Sequence, residues 1–139
     1  MIELLITIVV LGVIVSIAFP SYQGSIRKGR RADAFSALTA IQQTQERWRG
    51  NNASYGSLSN LISVNSAISG NSTGNHYALS VVGVTASAYE ARATAQGSQA
   101  NDANCKVLAV KIAVGNITYG AGTDSASLNW SDPDRCWVK

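Results

Sequence analysis

The chain opens on a run of apolar residues long enough for a helix that crosses a membrane. Residues 2–19 are almost wholly apolar, and Glu3 is the one charged residue among them. Helix is favoured over strand because a segment in lipid must satisfy its backbone hydrogen bonds internally. About 18 residues are at the lower limit for a ~30 Å hydrocarbon core. Pro20 lacks a backbone donor and is expected to kink this helix or end it.

A helical pattern resumes at Ser21 and stops at Gly50-Asn51-Asn52. The apolar side of this stretch has residues near helical spacing, namely Tyr22, Ile26, Ala34, Leu38, Ile41 and Trp48. The polar side is formed by Arg31, Asp33, Thr39, Gln42, Gln43 and Glu46. A continuous helix over residues 2–49 would be roughly 70 Å long. A compact domain of this size does not need such a helix, so its first half must pack against lipid or other subunits.

Short runs with strand character predict a sheet in the second half of the chain. Residues 77–84, 88–95 and 106–114 are predicted strands, and 117–119 add a short fourth one. Short loops between them favour antiparallel pairing. The amphipathic helix is expected to cover one sheet face, with Ile41 and Trp48 as core anchors. Residues 53–75 predict an irregular connection with a helical turn near 57–62, and residues 120–139 show little periodicity.

Composition and cysteine count favour an exported domain. The 139 residues are only 14% charged, and length alone indicates one domain. Two cysteines, Cys105 and Cys136, predict one disulfide, worth about 3–4 kcal/mol for a loop of this length; two reduced, buried thiols are the alternative. The single His76 and the distant cysteines lack the spacing of metal ligands, so neither a metal nor a cofactor is expected.

The apolar segment has three interpretations. Ser16-Ile17-Ala18 loosely resembles the cleavage site of a secretory signal, but an acid stands where a signal has basic residues. A single-pass anchor would place basic residues 27–31 in the cytoplasm and leave the cysteines in a reducing compartment. The third interpretation is a helix that lipid holds until it packs against copies of itself. Glu3 favours this one, because a carboxylate at mid-bilayer costs about 2.5–3.5 kcal/mol and needs a partner from another chain.

Several motifs together resemble a known family. Ile2-Glu3-Leu4-Leu5-Ile6, the apolar run with Gly12, and Pro20-Ser21-Tyr22 resemble the N-terminal signature of type IV pilins. Further motifs look like the PilE-like branch, which includes minor pilins and a DNA-uptake receptor: Arg31-Ala32-Asp33-Ala34, Gln45-Glu46-Arg47-Trp48, Asn52-Ala53-Ser54-Tyr55 and Cys136-Trp137.

This resemblance implies an α+β fold with a long N-terminal α-helix packed on a four-stranded antiparallel β-sheet and a disulfide-bounded C-terminal region. We expect residues 1–25 to form the transmembrane and filament-core half of the helix and residues 26–139 the globular head. Family members start in the inner membrane, are cleaved and methylated by a prepilin peptidase, and are assembled by pilus machinery into extracellular filaments of identical subunits.

The resemblance also implies roles for single residues in assembly. Glu3 would neutralise the N-terminal amine of a neighbouring subunit and aid processing, and Gly12 and Pro20 would let the helix loosen when it leaves lipid. Mature pilins begin with a methylated phenylalanine slightly upstream, whereas this sequence begins at Met1. We therefore expect a short missing stretch or numbering that begins late, so the amine that pairs with Glu3 is not named.

Three functions follow, and the first is a structural subunit of an extracellular type IV pilus that serves adhesion, motility or DNA uptake. The alternatives are a minor pilin that acts as a DNA-uptake receptor and a type II secretion pseudopilin. Possible DNA contacts in the head are sparse basic residues, namely Arg92, Lys106, Lys111, Arg135 and Lys139. The cluster Arg27, Lys28, Arg30 and Arg31 lies beside the assembly helix and would be hidden in a fibre. An enzyme is not expected, because the chain lacks a useful acid pair and a phosphate-binding glycine loop.

Overall fold

One long helix, α1 (Ile2–Arg49), dominates the computed structural model, which describes residues 2–131 and 135–137. The helix runs through Pro20 without a break, so of the two expected effects of Pro20 the end of the helix is wrong and the kink stays a prediction. Proline removes one intrahelical hydrogen bond, and the helical pattern on both sides outweighs that loss. The predicted stop is confirmed, because the helix ends at Arg49 and the Gly50 N–H closes its last turn on the Glu46 carbonyl at 3.2 Å.

A short helix, α2 (Leu58–Val64), follows in the predicted place. Ser57 caps its N-terminus by accepting a hydrogen bond from the Asn60 N–H at 3.4 Å. The chain just before this cap is fixed to α1 by the buried Gln45 amide, which donates to the Gly56 carbonyl at 2.7 Å and accepts from the Gly56 N–H at 2.8 Å. Two hydrogen bonds from one buried side chain therefore hold the connection against the end of α1.

Four antiparallel strands form a single sheet in the order β1-β2-β3-β4. They are β1 (Tyr77–Val82), β2 (Ala88–Ala95), β3 (Val107–Ala113) and β4 (Asn116–Gly122), and a 3-10 helix, Gly97–Asn101, lies between β2 and β3. The predicted α+β fold with a four-stranded antiparallel sheet is confirmed. The fourth strand is longer than predicted, because residues 120–122 pair with β3 although their glycines and alanine carry no hydrophobic alternation.

The second half of α1 covers one face of this sheet. Its buried residues Ala34, Leu38 and Ile41 pack in one cluster with the sheet side chains Tyr77, Tyr89, Leu108 and Val110. Ile41 is the predicted core anchor, and Trp48 packs against the cluster while half-buried.

Two residues of α1 depart from the predicted helix faces. Tyr22, expected on the apolar side, is 65% exposed, because it lies at the edge of the head, where only the 3-10 helix is near it. Arg31, expected on the polar side, is buried. Its partner Asp102 follows the 3-10 helix, a contact that periodicity within α1 does not show.

The first half of α1 is bare. Its large apolar side chains from Ile2 to Phe19 are each 52–72% exposed. Within the described residues α1 is the one helix with an apolar stretch long enough to cross a membrane, and none of that stretch is buried. The expectation that this half has no core of its own is confirmed.

Candidate functional site

Glu3 is the polar group of the apolar segment that the helix leaves without a partner. The Thr7 hydroxyl donates to the Leu4 carbonyl and the Ser16 hydroxyl to the Val13 carbonyl, both at 2.8 Å. Glu3 has no hydrogen-bond or ion-pair partner in the part of the chain that the structure describes. At Gly12, an added Cβ would meet nothing within 4 Å, so this position is open to a neighbouring helix. The exposed Glu3 carboxylate is therefore available to a partner from another chain or from residues outside this range.

A buried ion pair ties α1 to Asp102, the residue that follows the 3-10 helix, and a further hydrogen bond of Arg31 reaches the C-terminal segment. Arg31 contacts both carboxylate oxygens of Asp102, at 2.7 and 2.8 Å, and its third contact is a 3.1 Å hydrogen bond to the Arg135 carbonyl. The Gln99 amide donates to Asp102 at 3.3 Å and to the Tyr77 hydroxyl at 2.9 Å. Burial raises the pKa of Tyr77 to about 12, because the phenolate would lose its water. This network fixes the base of the head.

The predicted disulfide joins Cys105 to Cys136, with their Cα atoms 5.5 Å apart. It excludes the alternative of two reduced thiols and brings the neighbouring residues Lys106 and Arg135 to the same end of the sheet. Trp137 packs beside this closure: its ring centroid lies 4.8 Å from that of Phe35 and 4.8 Å from that of Tyr119, and its N–H donates to the Gly120 carbonyl at 3.1 Å. The side chains around Trp137 give it a structural role.

Two of the predicted DNA contacts lie on the sheet face that points away from α1, called here the outer sheet face. Lys111 alternates with the buried Val110 and Ile112 and is exposed. Arg92, on the neighbouring strand, pairs with Glu90 at 2.5 Å. Glu90 is also the cross-strand partner of Lys111. The outer sheet face therefore holds two cations and one carboxylate.

Trp130 completes this surface, and the sequence interpretation missed it. Its ring lies flat over Gly120, where an added Cβ would come within 2.8 Å of the ring carbon Cε3, so glycine is needed for the close approach. The Lys111 Nζ lies 5.9 Å from the ring centroid, within cation–π range. The sequence carries no local signal for it, because the predicted fourth strand stopped at residue 119 and Trp130 stands in a tail with little periodicity.

The segment that carries Trp130 is fastened to β4. Asn129 and Ala121 exchange backbone hydrogen bonds of 2.8 and 3.2 Å. Asp124 accepts hydrogen bonds from the backbone of Ala126 and from Ser127, and these contacts hold the pKa of Asp124 below its usual range. Because both turn and bridge hold this segment in place, the indole is pre-positioned on the outer sheet face.

The five predicted DNA contacts do not form one patch. Arg92 and Lys111 share the outer sheet face, whereas Lys106 and Arg135 lie at the disulfide, about 16 Å along β3 from Lys111 by strand rise. Lys139 lies outside the described residues. Among the described residues no group of His, Cys, Asp and Glu side chains is placed to hold a metal ion.

Comparison with known families supplies the context for this geometry. A family described as type IV minor pilin ComP, DNA uptake sequence receptor, matches residues 20–109, well over half of the chain. The chain belongs to this family. The fold of this minor pilin, a long helix on a four-stranded antiparallel sheet, is the predicted type IV pilin fold. A comparison with curated proteins found no match.

The matched region of the pilin includes some candidate residues and leaves others out. It covers the amphipathic half of α1, α2, β1 and β2, and it contains Arg92 and Lys106. Lys111, Trp130 and Cys136 lie beyond its end. The roles of Lys111 and Trp130 on the outer sheet face, and of Cys136 in the disulfide, are therefore argued from this chain's own geometry.

Proposed function

We propose that this chain is a minor pilin that binds extracellular DNA for uptake. The observation that carries the proposal is the family match over residues 20–109, since the family is described as a DNA uptake sequence receptor. This favours the second of the three predicted functions over an abundant filament subunit. Adhesion and motility have no comparable support.

The outer sheet face is the proposed DNA contact surface. It lies on the opposite side of the sheet from α1, so it stays accessible when α1 packs among the helices of other subunits. The cluster Arg27, Lys28 and Arg30 lies on α1 itself, close to the apolar segment, and would be covered in a filament. Accessibility therefore favours Lys111 and Arg92 over the denser basic cluster.

The chemistry of this face suits a phosphate backbone beside an aromatic platform. The Lys111 ammonium is exposed and forms no ion pair with a carboxylate among the described residues. It is therefore available to a phosphate. Trp130 offers a fixed, half-exposed ring next to it, suited to contact with a sugar or a base. Arg92 is held by Glu90 and would have to exchange this carboxylate for a phosphate. Glu90 is thus expected to weaken DNA binding.

Binding of the detergent-solubilised full chain to labelled duplex DNA tests the proposal, measured by fluorescence anisotropy at several salt concentrations. Lys111→Gln should weaken binding to all sequences and reduce the slope of log affinity against log salt by about 1. Glu90→Gln should strengthen binding because it frees Arg92. Lys28→Gln is the matched control, since it removes the same charge from the helix side and should leave the slope unchanged.

Two results would contradict this assignment. Equal effects of Lys111→Gln and Lys28→Gln would show that binding follows net charge and not the outer sheet face. Weaker DNA binding by Glu90→Gln would show that the ion pair between Glu90 and Arg92 supports DNA binding and does not oppose it. Sequencing of duplexes selected from a random pool provides a separate test. A shared motif is expected from a sequence-specific receptor, and selected duplexes without a shared motif would contradict sequence specificity.

We further propose that the pilin joins a filament through the bare half of α1. The exposed apolar side chains of residues 2–19 can be covered by lipid in the inner membrane before assembly and by neighbouring helices afterwards, in the extracellular pilus. Glu3, Gly12 and Pro20 keep their proposed assembly roles, and prepilin peptidase and the pilus machinery are the proposed processing partners. Apolar burial of roughly 25 cal/mol per Å2 would hold such a bundle without covalent links.

A further inference from the structure

A groove of about 280 Å3 lies where the apolar segment of α1 meets the head. Phe19, Tyr22 and Ile26 supply its apolar lining, and Arg27 and Arg30 supply two guanidinium groups. The 3-10 helix Gly97–Asn101 forms the opposite wall. The groove thus combines aromatic rings with two cations at the foot of the head.

The two arginines are held in place by neutral hydrogen-bond acceptors. Arg27 donates to the Asn101 carbonyl and to the Gln23 side-chain oxygen, both at 3.1 Å, and Arg30 donates to the Ser98 hydroxyl at 2.7 Å. All three acceptors are neutral, and no carboxylate among the described residues pairs with either guanidinium. The groove is therefore cationic.

The Arg27 guanidinium lies at the depth of lipid headgroups if residues 2–19 cross the membrane, and Arg30 follows three residues, about 4.5 Å, further along the helix. Helical side chains lean towards the helix N-terminus, and Arg27 accordingly reaches back to Gln23. Gln23 is four residues past Phe19, which is about 6 Å along the helix axis. The headgroup layer on each side of the hydrocarbon core is roughly 5–8 Å deep. Phe19 and Tyr22 then occupy the interface that aromatic residues prefer.

We propose that this groove binds the phosphate headgroup of an anionic phospholipid while the pilin is in the membrane. Arg27 and Arg30 contact the phosphate, the apolar lining contacts the glycerol and upper acyl region, and exposed Lys28 attracts further anionic lipid.

Two observations argue for this occupant. The groove is continuous with the apolar segment. In addition, lysines and arginines usually flank a membrane helix on its cytoplasmic side, whereas here they lie on the side that carries the disulfide. Bound anionic headgroups would offset the unfavourable placement of these positive charges. The inference rests on membrane insertion of residues 2–19 and is independent of DNA binding.

Native mass spectrometry of the full chain in detergent, titrated with phosphatidylglycerol or phosphatidylcholine, tests the site. The wild-type pilin should retain phosphatidylglycerol in preference to phosphatidylcholine. Arg27→Gln with Arg30→Gln should weaken this binding roughly 25-fold, about fivefold for each charge. Arg27→Lys with Arg30→Lys should keep most of the affinity. The matched control, Arg47→Gln with Arg49→Gln, removes the same two charges from the far end of α1 and should have no effect.

Three results would overturn the proposal. Equal retention of both lipids would show that the headgroup charge is not recognised. Equal weakening by the control pair would show that net charge, and not the groove, decides binding. Displacement of the lipid by free glycerol phosphate at comparable concentration would show a simple phosphate site without a lipid requirement. Melting temperatures of the variants, measured in the same detergent, identify any loss of binding that comes from unfolding.

Discussion

Replacing Asp102 by alanine removes one partner of the buried ion pair at the base of the head. The two side chains are only 9% and 10% exposed, and Arg31 makes two contacts to the carboxylate that water cannot easily replace. Breaking a buried pair from one side costs about 3–5 kcal/mol, because it leaves an uncompensated charge. Typical domains are stable by only about 5–15 kcal/mol. We therefore expect Asp102→Ala to lower the melting temperature by about 12–20 °C for a domain of this size.

Thermal unfolding of the full chain in detergent, followed by tryptophan fluorescence, measures this loss. Glu90→Ala is the matched control: it removes the carboxylate of the pair with Arg92, whose side chains are 16% and 25% exposed. This more accessible pair should cost about 1 kcal/mol or less. The double variant Arg31→Met with Asp102→Ala should be less destabilised than the sum of its single changes, because it leaves no buried charge behind.

The reasoning fails if Asp102→Ala and Glu90→Ala lower the melting temperature equally. It also fails if the single changes at Arg31 and Asp102 add without coupling. In either case the pair would behave as a solvated surface contact, and the attachment of α1 at the base of the head would rest on its other contacts, among them the packing of Phe35 against Trp137.

Two further predictions concern assembly and pH. Glu3→Ala should abolish or sharply reduce incorporation into sheared filaments while the melting temperature of the head stays unchanged; normal incorporation would contradict the charge-pairing role. Tyr77 has a pKa of about 12 in the folded pilin, above the usual value near 10. Its contribution to the free energy of unfolding is therefore complete below pH ~10 and is lost as the pH rises towards 12. Tyr77→Phe should therefore lose less stability than the wild type, by on the order of 2 kcal/mol, when urea midpoints near neutral pH and near pH 12 are compared; buried Tyr89, whose pKa is also raised, contributes equally to both proteins.

Local patterns were enough to predict most of the fold. The spacing of Leu38 and Ile41, the stop at Gly50 and the alternation in β3 depend on neighbours within one element, so the sequence shows them directly. The cysteine count likewise predicted the disulfide between Cys105 and Cys136.

The amino-acid sequence by itself determined the long helix, its bare apolar half with Glu3, the four strands and the pilin resemblance, because each follows from periodicity or a contiguous motif. Only the tertiary structure decided what lies far apart in the chain but close in space. It paired Arg31 with Asp102 and placed Trp130 on Gly120 beside Lys111. Such contacts depend on how the elements pack, and no local pattern in a polar, glycine-containing tail encodes them.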